Sequence, residues 1–345
     1  MTFPVGVLAC ITPFNFPLMV PMWTIPNALV CGNAVILKPS EATPVTAMKI
    51  AELFAQAGLP DGLLSVVNGE KEVVEALCDH PGIDALTFVG STPVAKLVYK
   101  RATSNLKRCL AMGGAKNHIL VTDEVNPEIV AKEITSAAYG MSGQRCMAAS
   151  VVLAIGHCGA VIDQIIAISK QMVAGRDCPP LISRKAVEKI GQYLDQTPGT
   201  VVVDGRRAMV EGDPNGYYIG PSVILYDTID AMPEEEVFGP TLEIIQVATL
   251  EEAIAYQNRS PYGNGASIFT DTGLYAQEAS LGLSSGMLGI NIGVPVPRDP
   301  FSFGGLKGSK FGYGDITGYG SLPLLTTTRK VTTKWNPKDK KDWLS

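Results

Sequence analysis

At 345 residues the chain is long enough for about two domains of ordinary size. An apolar fraction of 46% against 18% charged residues excludes a disordered polypeptide, which combines low apolar content with high net charge. A net charge of −5 argues against a nucleic-acid partner, whose phosphates call for a basic face, and against a polybasic membrane anchor.

Met1 to Leu37 carries no charged residue, yet Pro4, Pro13, Pro17, Pro21 and Pro26 punctuate it. A lipid-exposed helix could not absorb that many lost N–H donors, and no basic segment precedes it as in a signal peptide. The stretch therefore reads as buried core. Val5–Ile11 and Ala34–Leu37 are expected strands, and Thr43–Gln56 is an expected helix that stops at the breaker cluster Gly58-Leu59-Pro60-Asp61-Gly62. Leu63–Val67 reads as a strand, Lys71–Cys78 as a helix, Ala85–Val89 as a strand and Pro93–Ala102 as a helix with proline in its first turn. Such alternation implies a parallel sheet covered by helices, with ligands at the C-terminal strand ends. Those ends carry Lys38-Pro39-Ser40-Glu41 and Gly90-Ser91.

A second unit follows, with strands at His118–Val121 and Ala148–Ile155 and helices at Glu128–Tyr139 and Val161–Val173. Further strand-like runs lie near Val201, Val223, Leu242 and Ala266. The β-rich stretch Thr326–Trp335 reads either as a frayed end or as an edge strand pairing with another subunit.

Seven cysteines are scattered without a C-x-x-C pair, and His80, His118 and His157 are the only histidines. This spacing disfavours a metal site or a disulfide framework and fits a reducing compartment. No phosphate-loop or G-x-G-x-x-G pattern occurs. Chemistry is expected instead at Gly143-Gln144-Arg145-Cys146-Met147-Ala148, a turn between a helix and a strand. A cysteine beside a cation on such a turn can expose a thiol and favour its thiolate. On these residues alone, a buried apolar cysteine is an equal reading. Arg145 is either a surface charge or a ligand for a substrate carboxylate. Asn15 ends the first strand among apolar neighbours and reads as an oxyanion donor or as a cap for the following helix. Lys38 and Glu41 read as ribose contacts or as a solvated charge pair. A carboxylate there would repel a 2′-phosphate and favour NAD over NADP.

The ordered segments PFNFP, KPSE, FVGS, GGAKN, GQRC, EEVFGP and SPYGNGASIFT closely resemble the aldehyde dehydrogenase superfamily. Pro13-Phe14-Asn15-Phe16-Pro17, Gly114-Ala115-Lys116-Asn117-His118 and the Cys146 segment are most similar to its CoA-acylating methylmalonate-semialdehyde branch. The resemblance implies an α/β fold: an NAD-binding domain over residues 1–114, a catalytic domain over 115–310 and a tail with an oligomerisation strand over 311–345. It makes Cys146 the nucleophile, with Asn15 and the Cys146 backbone N–H as oxyanion donors. It assigns Lys38 and Glu41 to the adenosine ribose, Ser91 to the pyrophosphate, and Glu236 with Phe238 to the nicotinamide ribose. Thr12, Phe14, Ala42 and Gly113 would line the cofactor, and Arg145 would hold the substrate carboxylate. The implied reaction is NAD-dependent oxidation of methylmalonate or malonate semialdehyde, with release as propionyl-CoA or acetyl-CoA. It also implies a cytoplasmic or mitochondrial-matrix homo-oligomer in the valine-breakdown context. The alternatives are a hydrolytic semialdehyde dehydrogenase and an inactive fragment that binds NAD or a full-length subunit.

Two departures stand out. Most members begin the E-L-G-G-K segment with a glutamate that activates water; here Met112 holds that place and can accept no proton. This disfavours hydrolysis and favours a thiol acceptor. Only a dozen residues precede PFNFP, so the early strands and helices of the family's cofactor domain, and its second carboxylate-binding arginine, are expected to be missing.

Overall fold

The computed structural model describes residues 1–335. Two sheets organise the chain. The first has six strands in the spatial order Lys310–Phe311, Arg108–Met112, Ala85–Val89, Val7–Ile11, Ala34–Lys38 and Leu64–Val66. All run parallel except Lys310–Phe311, which is antiparallel to Arg108–Met112. From Val7–Ile11 the chain first builds outward through Ala34–Lys38 and Leu64–Val66. It then crosses back to place Ala85–Val89 on the other flank. The strand order reverses at Val7–Ile11, and a crevice opens there at the C-terminal ends.

The second sheet has seven strands in the order Met287–Ile290, Gly265–Phe269, Asn117–Val121, Ala149–Ile155, Thr241–Val247, Ser222–Tyr226 and Thr200–Val203. Only Thr200–Val203 is antiparallel to its neighbour. Its inner strands are apolar on both faces, as expected where helices cover both sides: Asn117–Val121 and Gly265–Phe269 are buried throughout. The α/β class and the parallel sheets expected from the sequence are present.

The uncharged N-terminal stretch contains the helix Met19–Val30, with Pro21 in its first turn and Pro26 inside it. Ile25 and Ala28 pack on the first sheet, and this burial offsets the backbone bonds that the prolines forgo. Among the described residues no helix is long and apolar enough to cross a membrane. The β-rich stretch behaves differently from either expectation. Thr326–Thr328 pairs antiparallel with Thr2–Pro4 of the same chain, and residues 329–335 form no strand. The remainder of the expected tail, residues 336–345, lies outside the described residues.

Candidate active site

Cys146 sits in the turn that enters Ala149–Ile155. The turn is forced by three consecutive left-handed residues, Met141 (φ 54°), Ser142 (φ 53°) and Gly143 (φ 68°). At Gly143 a Cβ would stand 2.0 Å from the Gly239 carbonyl oxygen, so only glycine fits. Asn117 and Asn264 hold the turn from below. Their side-chain amides donate to the Cys146 carbonyl at 2.9 and 3.0 Å. Asn117 also donates to the Ala148 carbonyl at 2.8 Å.

Cys146 opens onto a cavity of about 220 Å³ at the crevice of the first sheet. Phe14 and Asn15 reach it from the end of Val7–Ile11, and Ser91 from the end of Ala85–Val89. Gly113 follows Arg108–Met112, while Glu236 and Phe238 come from the loop before Thr241–Val247. Seven expected site residues therefore converge on one space, drawn from five segments. Cys146 is also distinguished from the other six cysteines: Cys10, Cys78, Cys109, Cys158 and Cys178 are buried, Cys31 is half-buried, and none of them lines this cavity.

Asn15 does not cap a helix. Leu18 holds the cap position of Met19–Val30, and the Asn15 amide instead donates to the Gln144 carbonyl at 2.9 Å. One amide hydrogen is engaged there, which leaves the second for a group in the cavity. Glu236 accepts from the Ala115 N–H at 2.9 Å, and Lys189 donates to its backbone carbonyl at 2.9 Å. Burial pushes the Glu236 carboxyl up to about 7. Burial, and then the Glu236 charge, push the Cys146 thiol up to about 12. Phe238 adopts φ 56° and sets its ring edge-on to Phe14, with centroids 6.1 Å apart.

Ser91 caps Thr92–Ser104 without a side-chain hydrogen bond, so amides of the first turn stay free to meet an anion. Gly113 and Gly114 are held close to their surroundings. A Cβ at Gly113 would lie 2.5 Å from the Gly308 carbonyl, and one at Gly114 would lie 2.1 Å from the Glu236 carboxylate. Lys38, Glu41 and Ala42 lie one strand over, outside the cavity wall. They are tied to it by the Thr12 N–H, which donates to the Lys38 carbonyl at 3.1 Å. Lys38 is buried and its Nζ lies 3.2 Å from Glu41, whose carboxylate is exposed. The Ala42 N–H donates to the Ser40 hydroxyl at 3.3 Å.

Arg145 is turned away. Its guanidinium donates to the carbonyls of Ser136 and Ala137, both at 2.7 Å, at the C-terminal end of Pro127–Tyr139. A helix C-terminus attracts a cation, and Gly140 leaves the room: a Cβ there would lie 2.6 Å from the guanidinium. Arg145 does not line this cavity but a small neighbouring pocket that it shares with Gly143, Glu236 and Phe238. Met112 is 3% exposed, packs in the core cluster of the first sheet, and does not line the cavity either. Glu235 faces outward, away from Cys146. Among the described residues, Glu236 is the sole carboxylate on the cavity wall.

Sequence reasoning missed Lys189, Asn117 and Asn264 as parts of the site. The two asparagines stood in the recognised segments Lys116-Asn117 and Gly263-Asn264, whereas Lys189 sits on the helix Arg184–Gln196, which carries no motif. A larger cavity of about 320 Å³ lies on the far side of the Glu236 loop, lined by Lys116, His118, Pro233, Tyr256 and Arg259. It lacks the cysteine and the convergent strand ends, so the smaller one is the candidate site. No cluster of three His, Cys, Asp or Glu able to hold a metal occurs among the described residues.

The sequence profile of the aldehyde dehydrogenase family matches residues 1–331. Malonate-semialdehyde dehydrogenase 2 of Geobacillus kaustophilus is 40% identical over 344 residues, spanning 96% of this chain and 71% of that protein. The crystal structure of methylmalonate-semialdehyde dehydrogenase from Oceanimonas doudoroffii superposes with a TM-score of 0.93 at 42% identity, over 96% of this chain and 71% of that one. A candidate methylmalonate-semialdehyde dehydrogenase from Sinorhizobium meliloti, crystallised with NAD, gives 0.95 at 38% identity over 99% and 72%. Family profile, sequence identity and fold agree, and the chain belongs to the aldehyde dehydrogenase family.

Proposed function

We propose that the chain oxidises methylmalonate or malonate semialdehyde with NAD and passes the acyl group to coenzyme A. The observation that carries this reading is the single cavity joining Cys146, the free amide hydrogen of Asn15 and Glu236 at the strand-order reversal. The Cys146 thiol releases its proton to solvent as its sulfur attacks the aldehyde carbon, forming a C–S bond and an oxyanion. Asn15 and the Cys146 backbone N–H donate to that oxygen against a largely apolar wall, where such donors are worth more than in water.

The residues present fit a dinucleotide. Uncapped amides at Ser91 suit a pyrophosphate, Gly113 and Gly114 keep the wall flat, and Glu236 and the Lys38–Glu41 pair offer acceptors for ribose hydroxyls. The Glu41 carboxylate would repel a 2′-phosphate. Phe14 and Phe238 line the cavity, and Thr12 and Ala42 would extend the cofactor surface beyond it. When bound, NAD supplies a hydride acceptor, and hydride loss from the thiohemiacetal carbon leaves a thioester on Cys146. The acyl group then loses carbon dioxide and its α-carbon takes up a proton; the thiol of coenzyme A, giving up its own proton, attacks the thioester and expels the Cys146 thiolate.

Met112 supports the thiol acceptor over water. Glu236, the one carboxylate on the cavity wall, is occupied by the ribose in this reading, so no free general base serves water, and general-base assistance is worth roughly 100- to 10,000-fold. Mixing protein, NAD and semialdehyde without coenzyme A tests the reading. The expected trace is a burst of NADH near the concentration of Cys146, then a slow phase that coenzyme A accelerates. A fast linear trace without coenzyme A, yielding the free acid, would favour hydrolysis. NAD binding without any turnover would mark a chain that only binds.

A further inference from the structure

We propose that Lys116 is a positioning residue that fixes the loop carrying Glu236 and so sets the affinity for NAD. This rests on the reading of Glu236 as a ribose contact. The loop from Pro233 to Phe238 has no regular structure, yet it must present one carboxylate to the cavity at a fixed depth. Lys116 supplies what the secondary structure does not. Its Nζ donates to the Pro233 carbonyl at 2.5 Å and to the Glu235 carbonyl at 3.3 Å, on the near side of Glu236. The third direction of the ammonium meets Glu243, with Nζ 3.0 Å from Oε1 and 2.8 Å from Oε2. Tyr193 donates its hydroxyl to the same carboxylate.

The preceding residue completes the grip. The Ala115 N–H holds the tip of the Glu236 side chain while Lys116 holds its backbone, so two adjacent residues fix both ends of one side chain. Lys116 itself does not border the Cys146 cavity. It is 5% exposed and Glu243 1% exposed. A buried ion pair of this kind is replaceable by apolar residues with little loss of stability, or with a gain. Such a replacement would leave the carbonyls of Pro233 and Glu235 without their donor. Stability and cofactor affinity should therefore separate when the pair is removed as a unit.

The test compares the full chain with Lys116→Met, Lys116→Met combined with Glu243→Leu, Lys116→Arg, and Glu236→Gln. Unfolding midpoint, NAD dissociation constant by calorimetry, and amide hydrogen exchange at residues 234–237 are measured for each. Lys116→Met should lower the midpoint, because it strands the Glu243 charge. The double variant should regain much of the midpoint lost in Lys116→Met yet bind NAD at least tenfold more weakly, with faster exchange at 234–237. Lys116→Arg should recover part of the affinity. The inference is overturned if the double variant recovers NAD affinity together with stability, while Glu236→Gln still binds poorly. If Glu236→Gln binds NAD as well as the unaltered chain, the ribose reading itself fails and carries this inference with it.

Discussion

The amide of Asn15 and the carbonyl of Gln144, 129 positions apart, meet in a buried hydrogen bond of 2.9 Å that ties the first sheet to the cysteine turn. The bond aligns the proposed oxyanion donor with the proposed nucleophile, Cys146, two residues further on.

Asn15→Ala removes both the alignment and the donor. Turnover should fall roughly 100- to 1,000-fold, the usual effect of losing one oxyanion donor. Stability should fall by about 1–3 kcal/mol because the Gln144 carbonyl is left unpaired. Steady-state NADH formation and chemical unfolding measure the two separately; a stability loss without a rate loss would leave Asn15 a purely structural role.

The Cys146 thiol, pushed up to about 12 by burial and by Glu236, is protonated at neutral pH in the cofactor-free protein. Its alkylation by iodoacetamide should rise steadily up to pH 9 without a plateau. Glu236→Gln removes the repelling charge, so alkylation at pH 8 should be faster than in the unaltered chain. An equal rate would place Glu236 too far from the sulfur to matter.

Glu236 also predicts a pH dependence of stability. Its folded value of about 7 exceeds the ordinary value of 4.5, so its contribution is fully present below about 4.5 and is lost as pH rises through 7. Relative to the unaltered chain, Glu236→Gln should have a higher melting temperature at pH 8 than at pH 5. Parallel melting curves across that range would contradict the burial of this carboxyl.

Much of this was legible in the sequence, and the limits are physical. Ala85–Val89 and Pro44–Gln56 stand out because turn residues bracket their apolar runs. The helix Met19–Val30 was hidden by its two prolines, since tertiary burial overrides local propensity. Arg108–Met112 begins with a charge and Met287–Ile290 alternates buried with exposed residues, so neither reads as a long apolar strand. Cys146, Asn15 and Glu236 were found through motifs. The direction of Arg145 was not, because it depends on where the helix Pro127–Tyr139 happens to end. The same holds for Met112: its position in the pattern is readable, its burial against the core is not.

Met112→Glu follows from that burial. A carboxylate introduced into this apolar cluster would have to be desolvated, so the variant should be less stable by several kcal/mol or keep its carboxyl protonated. A gain in coenzyme-A-independent turnover is expected only if the new side chain swings toward Cys146. Thermal unfolding read beside the slow phase of the NADH trace distinguishes the two results.

Glu41→Gln should weaken NAD binding roughly tenfold, the worth of one charge-assisted hydrogen bond, and narrow the preference over NADP. The Lys38 ammonium, 3.2 Å away, would then face a phosphate without a competing carboxylate. An unaltered chain that already prefers NADP would overturn the ribose assignment at this strand end.

The cysteine turn, with its three left-handed residues and two asparagine braces, has no hinge of its own. Heat cannot loosen the nucleophile as an independent flap while the rest of the molecule stays intact. Loss of catalytic competence on warming should therefore coincide with cooperative melting of both sheets, and storage lifetime should be limited by global unfolding, not by local wear at Cys146.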